Sequence, residues 1–483
     1  MMLQSVSAGP RSLNDRGTGF LATVSRAILF LAGLGGIGAE IVALLKLRHH
    51  PFSVAGDVAV FVAPLLVGIT LLYLATRLPA HRVKRLVLEL FFVALSIPVV
   101  EAGLTAFAWT SPSAQMQRFA TAKKLGIPFD HRYKSQVVDD MRAAGVEAYP
   151  GMSRDLLWQA DVKQRVGSEF YPLSQASDTN IVDCNESGKY LVYKTDEYGF
   201  NNPSGLYDSG HIDIAAVGSS YTLGYCVPPG KGFMALLRGQ FPRTLNFGIA
   251  GSHIPTMFAT LREYVAPLHP PLVIWVMYPS AIESYELDDP IIHGYLDPAF
   301  SQHLVERHVA VDNFMREKVT PVQWDLDKKS AQVIADANRL RWRQIARLPL
   351  LSDKVVPVVK GTLAAPAPLR DWHDSLALIA QAKQLVEGWG GHMVVVIIPV
   401  FGEVVSHQYL ADQSSDHIVD LLKPLQLHVI NGVPFFRQQH DPTMLYTMGM
   451  SNHFDVEGHR LFAEYLEADL RATYPELMSA ASK

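Results

Sequence analysis

The sequence predicts an α/β protein in two parts: three membrane-length apolar helices near the N-terminus, then a parallel-sheet α/β/α domain. Three observations carry that prediction. Apolar residues concentrate between about residue 20 and residue 110 of the 483. Beyond residue 210, short apolar runs alternate with helical stretches. Small residues and a histidine punctuate the ends of those runs, where such sheets place their ligands.

The apolar runs are Ala27 to Leu45, Val58 to Ala75 and Leu90 to Trp109, with Glu40 in the first and Pro98 and Glu101 in the third. Each approaches the ~20 residues that a helix needs to cross a bilayer core. Two further runs follow the first, so it does not read as a cleaved leader. Arg11, Arg16 and Arg26 flank the first run, and Arg77, Arg82, Lys84 and Arg85 lie between the second and third. Basic loops stay inside, so the chain after Trp109 is expected outside. In a bacterium that is a multi-pass inner-membrane protein with a periplasmic C-terminal domain. Glu40 and Glu101 are expected to face each other or a partner protein, because mid-membrane charge is costly, the alternative being that helix tilt brings each to the interface. The glycines Gly33, Gly35, Gly36 and Gly38 imitate a dinucleotide loop, but no βαβ unit surrounds them. Close approach of membrane helices explains them better, and no cofactor is expected.

The net charge is −4. With no basic excess, nucleic acid is excluded as a partner, since phosphate binding needs clustered Lys and Arg. Cys184 and Cys226 are the two cysteines; in an exported domain they form a disulfide, the alternative being two buried thiols.

Residues 1–110 thus read as the anchor, 111–209 as a linker and accessory segment with a short hairpin at Tyr190 to Lys194, and 210–475 as the α/β domain. Its strands are expected at Ile212–Val217, Thr244–Phe247, Leu272–Tyr278, Met393–Ile398 and Leu427–Ile430, as buried apolar runs. Helices are expected at Phe233–Arg238, Pro255–Val265, Trp372–Glu387, His417–Leu422 and Val456–Leu470. The interval at about 283–369 breaks the rhythm and reads as a helical insertion.

Three segments then bring chemistry to the strand ends: Gly218-Ser219-Ser220, the turn Asn246 to Gly251, and His453 to His459. A serine, a glycine turn and a histidine supply nucleophile, backbone oxyanion donors and general base. No metal is expected, because His453 and His459 fall on different elements without a third ligand.

These blocks resemble the SGNH (GDSL-type) hydrolases over roughly residues 210–475. The likeness extends to membrane-tethered members associated with bacterial surface polysaccharides, through Cys184, Asp196 to Phe200 and Gly224 to Val227. The resemblance implies Ser220 as nucleophile, Gly251 as oxyanion donor and His453 as base. The sequence departs from the pattern at three points. Ser219 stands where the family has aspartate, Ala281 where the oxyanion asparagine is expected, and Met450 and Ser451 where the orienting aspartate is expected. Ser252 or Ser280 could replace the missing donor; Asp441, Asp455 or a backbone carbonyl could orient the imidazole. The implied function is acyl-ester chemistry, as O-acetyltransferase or esterase, on an extracytoplasmic polysaccharide. The expected partners are the glycan, the bilayer, and a membrane acyl-donor transporter or polysaccharide synthesis complex. The competing readings are a non-catalytic polysaccharide-binding or assembly subunit and a lipid-directed esterase.

Overall fold

The computed structural model describes residues 20–34, 37, 56–92, 96, 114–154, 157, 160–278, 285–337, 372–406 and 414–481. The chain divides into two compact units, one of residues 1–111 and 341–365 and the other of residues 112–340 and 366–483.

In the first unit, helices at 20–34, Gly56–Arg77 and 80–92 bury Leu29, Ala75 and Val83 against one another. Gly33 and Gly68 lie face to face: a Cβ on either would come within 3 Å of the other's carbonyl oxygen. Gly33 and Gly68 therefore set the close approach of two helices here, while Gly35, Gly36 and Gly38 fall outside the described residues. Among the described residues no helix is long and apolar enough to cross a membrane. The three expected spans are thus not supplied by the described helices. The first and third runs lie largely outside them, and the helix at 80–92 carries Arg82, Lys84, Arg85 and Glu89. Glu40 and Glu101 also fall outside the described residues.

The second unit holds two sheets. The smaller joins β1 (Ala148–Pro150), β2 (Asn180–Val182) and β3 (Val192–Lys194), with β1 parallel and β3 antiparallel to β2. The larger has five parallel strands: β4 (Ile214–Gly218), β5 (Thr244–Gly248), β6 (Leu272–Met277), β7 (His392–Ile397) and β8 (His428–Asn431). Their order is β5-β4-β6-β7-β8. Alternate side chains point to opposite faces of a strand. On β4 and β6, Ala215, Val217, Val273, Trp275 and Met277 enter one core, while Ile214, Ala216, Leu272, Ile274 and Val276 enter the other. The helices Ile254–Thr260, His373–Gly388 and Ser415–Leu422 bury residues in the first core. Phe233–Gln240 and Val456–Thr473 bury theirs in the second. Both faces are covered, which is why the strands read as continuous apolar runs rather than alternating ones.

The strand order reverses at β4: the chain passes outward to β5, then returns to the other side through β6. Such a switch point opens a crevice at the carboxyl ends of the two inner strands. The residues leaving β4 are Ser219 and Ser220, and the residue leaving β6 is Tyr278.

Residues 114–209 belong to the same compact unit as the parallel sheet. The Asp196-Glu197-Tyr198-Gly199-Phe200 stretch is a turn built on the Asp196 carboxylate, which accepts from the N–H groups of Tyr198 and Phe200 and from Asn202 Nδ2. Burial raises the Asp196 pKa to about 6. Asn202 in turn pairs with the backbone N–H and C=O of Asn246 on β5. The open edge of the parallel sheet is blunted there by a side-chain amide. The expected insertion contributes helices Pro290–Gly294, His308–Phe314 and Thr320–Ala337.

Candidate active site

The nucleophile turn is shaped by two glycines. Gly218 ends β4, and a Cβ on it would collide with Thr222 Oγ1. Gly248 ends β5, and a Cβ there would meet the Leu223 nitrogen at 2.5 Å. Only glycine lets the short helix Ser220–Leu223 settle this closely onto both strand ends. Ile249 N–H then donates to Gly218 C=O at 3.2 Å, fixing the second turn beside the first.

Ser220 Oγ stands 2.8 Å from His453 Nε2. The histidine comes from the segment before helix Val456–Thr473, where Tyr446 and Phe454 form an isolated antiparallel bridge. Thr447 N–H donates to the His453 carbonyl at 2.9 Å. The imidazole lies between the rings of Tyr221 and Tyr225, with centroids at 4.7 and 4.9 Å.

The carboxylate that meets this imidazole is Glu186. Its Oε2 is 3.0 Å from His453 Nδ1 and also accepts from the His453 backbone N–H at 2.9 Å. Burial acts to raise the Glu186 pKa, but the hydrogen bonds and charge of His453 and the charge of Arg118 outweigh it and hold the carboxyl below its usual range. An ionised carboxylate only accepts, so Nδ1 carries the proton and Nε2 presents its lone pair to the Ser220 hydroxyl. Serine, histidine and glutamate therefore form a continuous nucleophile–base–acid chain.

Both expected aspartates are engaged elsewhere. Asp455 caps the helix Val456–Thr473, with Oδ1 accepting from Gly458 N–H at 2.7 Å. Asp441 caps a short turn through Thr443 N–H and is exposed. Ser252 is also turned away from oxyanion duty, since its hydroxyl is buried and donates to Ile249 C=O at 2.8 Å. Ser280 and Ala281 lie outside the described residues. His459 is fully buried, stacked on Phe233 and accepting from the Phe233 N–H at 3.2 Å. Burial lowers its pKa to about 3, so it is a neutral packing residue.

Ser219, Ser220, Gly251, Tyr221, Tyr225, Tyr278, Ala250 and His453 line one open cleft of about 290 Å³ together with Ser153. Gly251 is in the left-handed region with φ 75°. The adjoining Arg154 donates its backbone N–H to Ala250 C=O, tying the segment after β1 to the glycine turn.

Cys184 and Cys226 form a disulfide. It joins the loop carrying Glu186, whose N–H lies 3.2 Å from Cys184 Sγ, to the residue after Tyr225. Among the described residues, one group has metal-ligand proximity, Cys184, Glu186 and Cys226, and its two sulfurs are spent on each other. Glu186, Arg118 and Ser153 carried no motif in the sequence. The one available signal was the position of Glu186 two residues beyond a cysteine whose partner follows the nucleophile turn.

No family model and no curated protein matches this chain. Among solved structures, it is similar to a member of the lipolytic protein G-D-S-L family from Veillonella parvula, at 11% identity over 55% of this chain and 99% of that one, with a TM-score of 0.30. It is similar to the acetyl xylan esterase AlAXEase at 10% identity, over 54% of this chain and all of the other, with a TM-score of 0.31. A lipase/acylhydrolase from Enterococcus faecalis matches at 9% identity, over 54% of this chain and 96% of that one, with a TM-score of 0.30.

Proposed function

We propose that the site performs acyl-ester chemistry through a covalent acyl-serine, and that its substrate is an extracytoplasmic polysaccharide. The observation that carries the chemistry is the single line of contacts Ser220 Oγ–His453 Nε2 and His453 Nδ1–Glu186 Oε2. His453 takes the Ser220 proton as Oγ attacks the ester carbonyl, and returns it to the departing alcohol oxygen. A second hydroxyl, from water or a sugar, then attacks the acyl-serine while His453 accepts its proton, and His453 passes that proton to Ser220 Oγ as the acyl–oxygen bond breaks. The Gly251 turn supplies backbone donors to the tetrahedral oxyanion.

The substrate class rests on the cleft. Tyrosine rings present an apolar face with a polar edge, and Tyr221, Tyr225 and Tyr278 line an open cleft rather than a closed apolar tunnel. A bound sugar hydroxyl also gains effective concentration that water lacks, which favours O-acetyl transfer over hydrolysis. The N-terminal apolar runs support a membrane tether beside an emerging polymer.

The test is labelling of the full chain with a serine-reactive fluorophosphonate, followed by acetyl transfer from an activated ester to an oligosaccharide. Wild type is expected to label at Ser220 and to acetylate the glycan, whereas Ser220→Ala and His453→Ala do neither while retaining their circular dichroism. Equal rates for wild type and Ser220→Ala would overturn the reading.

A further inference from the structure

The helix Ala114–Leu125 precedes every element of the two sheets and carries no motif, yet one of its side chains reaches the centre of the site. Arg118 Nη2 donates to Glu186 Oε1 at 2.8 Å. Nε and Nη2 of the same guanidinium donate to Asn452 Oδ1 at 3.2 and 3.0 Å. Asn452 is buried, directly precedes His453, and holds the Thr447 carbonyl through Nδ2 at 3.1 Å. The two oxygens of Glu186 are therefore divided, Oε1 for Arg118 and Oε2 for His453. One planar, always-charged fork braces the acid and the segment that carries the base.

We propose that Arg118 is a positioning residue: it locks Glu186 to the His453 segment in the one arrangement that leaves Nε2 facing Ser220. The proposal rests on the acyl-serine reading for its rate consequence, and on geometry alone for the lock. The Arg118 side chain is about a quarter exposed and that of Glu186 about a tenth, so the pair is only partly screened by water. Other groups face the Glu186–His453 pair. Asp183 lies behind it, accepting from Tyr225 Oη at 2.9 Å with Lys134 at 3.5 Å. Tyr221 and Tyr225 cover the ring, and the neutral His459 lies within electrostatic reach. Asp183 and the tyrosines remain in place in an Arg118 variant, whereas among the described residues Arg118 is the Lys or Arg cation in direct contact with Glu186.

The experiment compares wild type, Arg118→Gln and Arg118→Lys as full chains, each also in a Glu186→Gln background. Two quantities are read: the pH profile of fluorophosphonate labelling, and hydrogen exchange of segments 183–191 and 447–453. Arg118→Gln is expected to label roughly tenfold more slowly at neutral pH, the cost of one charge-assisted contact. The acid limb of its profile should move to higher pH, because a carboxylate without its cation protonates sooner. Exchange should rise in both segments, and Arg118→Lys should recover part of each effect. In the Glu186→Gln background the Arg118 substitution should cost less than in wild type, since only its contact with Asn452 remains to be lost. Unchanged exchange overturns the proposal whether or not the protein labels. So does slower labelling with an unmoved acid limb, or an equal further loss in the Glu186→Gln background. Absence of labelling in wild type would instead overturn the acyl-serine reading and leave exchange to decide the lock.

Discussion

Glu186 and His453 stand 267 positions apart in sequence, yet one carboxylate oxygen of the first accepts from both the ring and the backbone N–H of the second. The acid comes from the loop after β2 in the small sheet, while the base comes from the last loop of the parallel sheet. Orientation of the imidazole therefore depends on two sheets holding their relation within the same compact unit.

Replacement of that acid gives the sharpest test. Glu186→Gln keeps the shape and removes the charge, and is expected to slow Ser220 labelling by roughly 10²- to 10⁴-fold, the range for an orienting carboxylate. Asp441→Asn should label like wild type. Asp455→Ala should cost about 1 kcal/mol of stability through its lost helix cap, with little change in labelling of the folded protein. Comparable loss from Asp455→Ala at full folding would return the orienting role to that residue.

The disulfide bears on the same acid. Cys184 and Cys226 close a loop with a sequence separation of 42, worth about 4 kcal/mol in the chain-entropy model. Reduction, or paired Cys184→Ser and Cys226→Ser substitution, should lower the unfolding midpoint. It should also reduce labelling at temperatures where the chain is still folded, because the Glu186 loop loses its tie to the nucleophile turn. Labelling unchanged by reduction would separate the disulfide from the site.

Gly248 lies beneath the Ser220 helix, with the Leu223 nitrogen 2.5 Å from where a Cβ would sit. Gly248→Ala should therefore destabilise by roughly 1–3 kcal/mol, as overpacking does. It should also displace Ser220 from His453, so that residual folded protein labels poorly. A folded variant that labels at the wild-type rate would show that the turn tolerates the methyl group.

His459 makes stability depend on pH with a definite sign. Its pKa falls from 6.5 to about 3 on burial, so the unfolded chain binds the proton more readily. The contribution is fully present above about pH 6.5 and is lost as pH falls towards 3, by an amount on the order of a few kcal/mol. His459→Gln should flatten the fall of the thermal midpoint between pH 6 and pH 4. An equally steep fall would assign acid sensitivity to other groups.

The sequence alone determined the parallel strands and their covering helices, because burial on both faces demands uninterrupted apolar runs and places small residues at the strand ends. The strand pattern likewise put the segments holding Ser220, Gly251 and His453 at those ends, and the family resemblance singled these three out within them. Whether an aspartate near His453 could serve it was a tertiary question. Asp455 is spent on capping its own helix, an interaction set within three residues, and Ser252 is spent on its own turn. Glu186 and Arg118 had no periodicity or motif to mark them, because what gives them a role is the meeting of a loop, a helix and a distant histidine. A hydrogen bond is decided by position to a few tenths of an ångström, and that position is fixed only when the accessory sheet and the disulfide hold residues 114–209 against the switch point of the larger sheet.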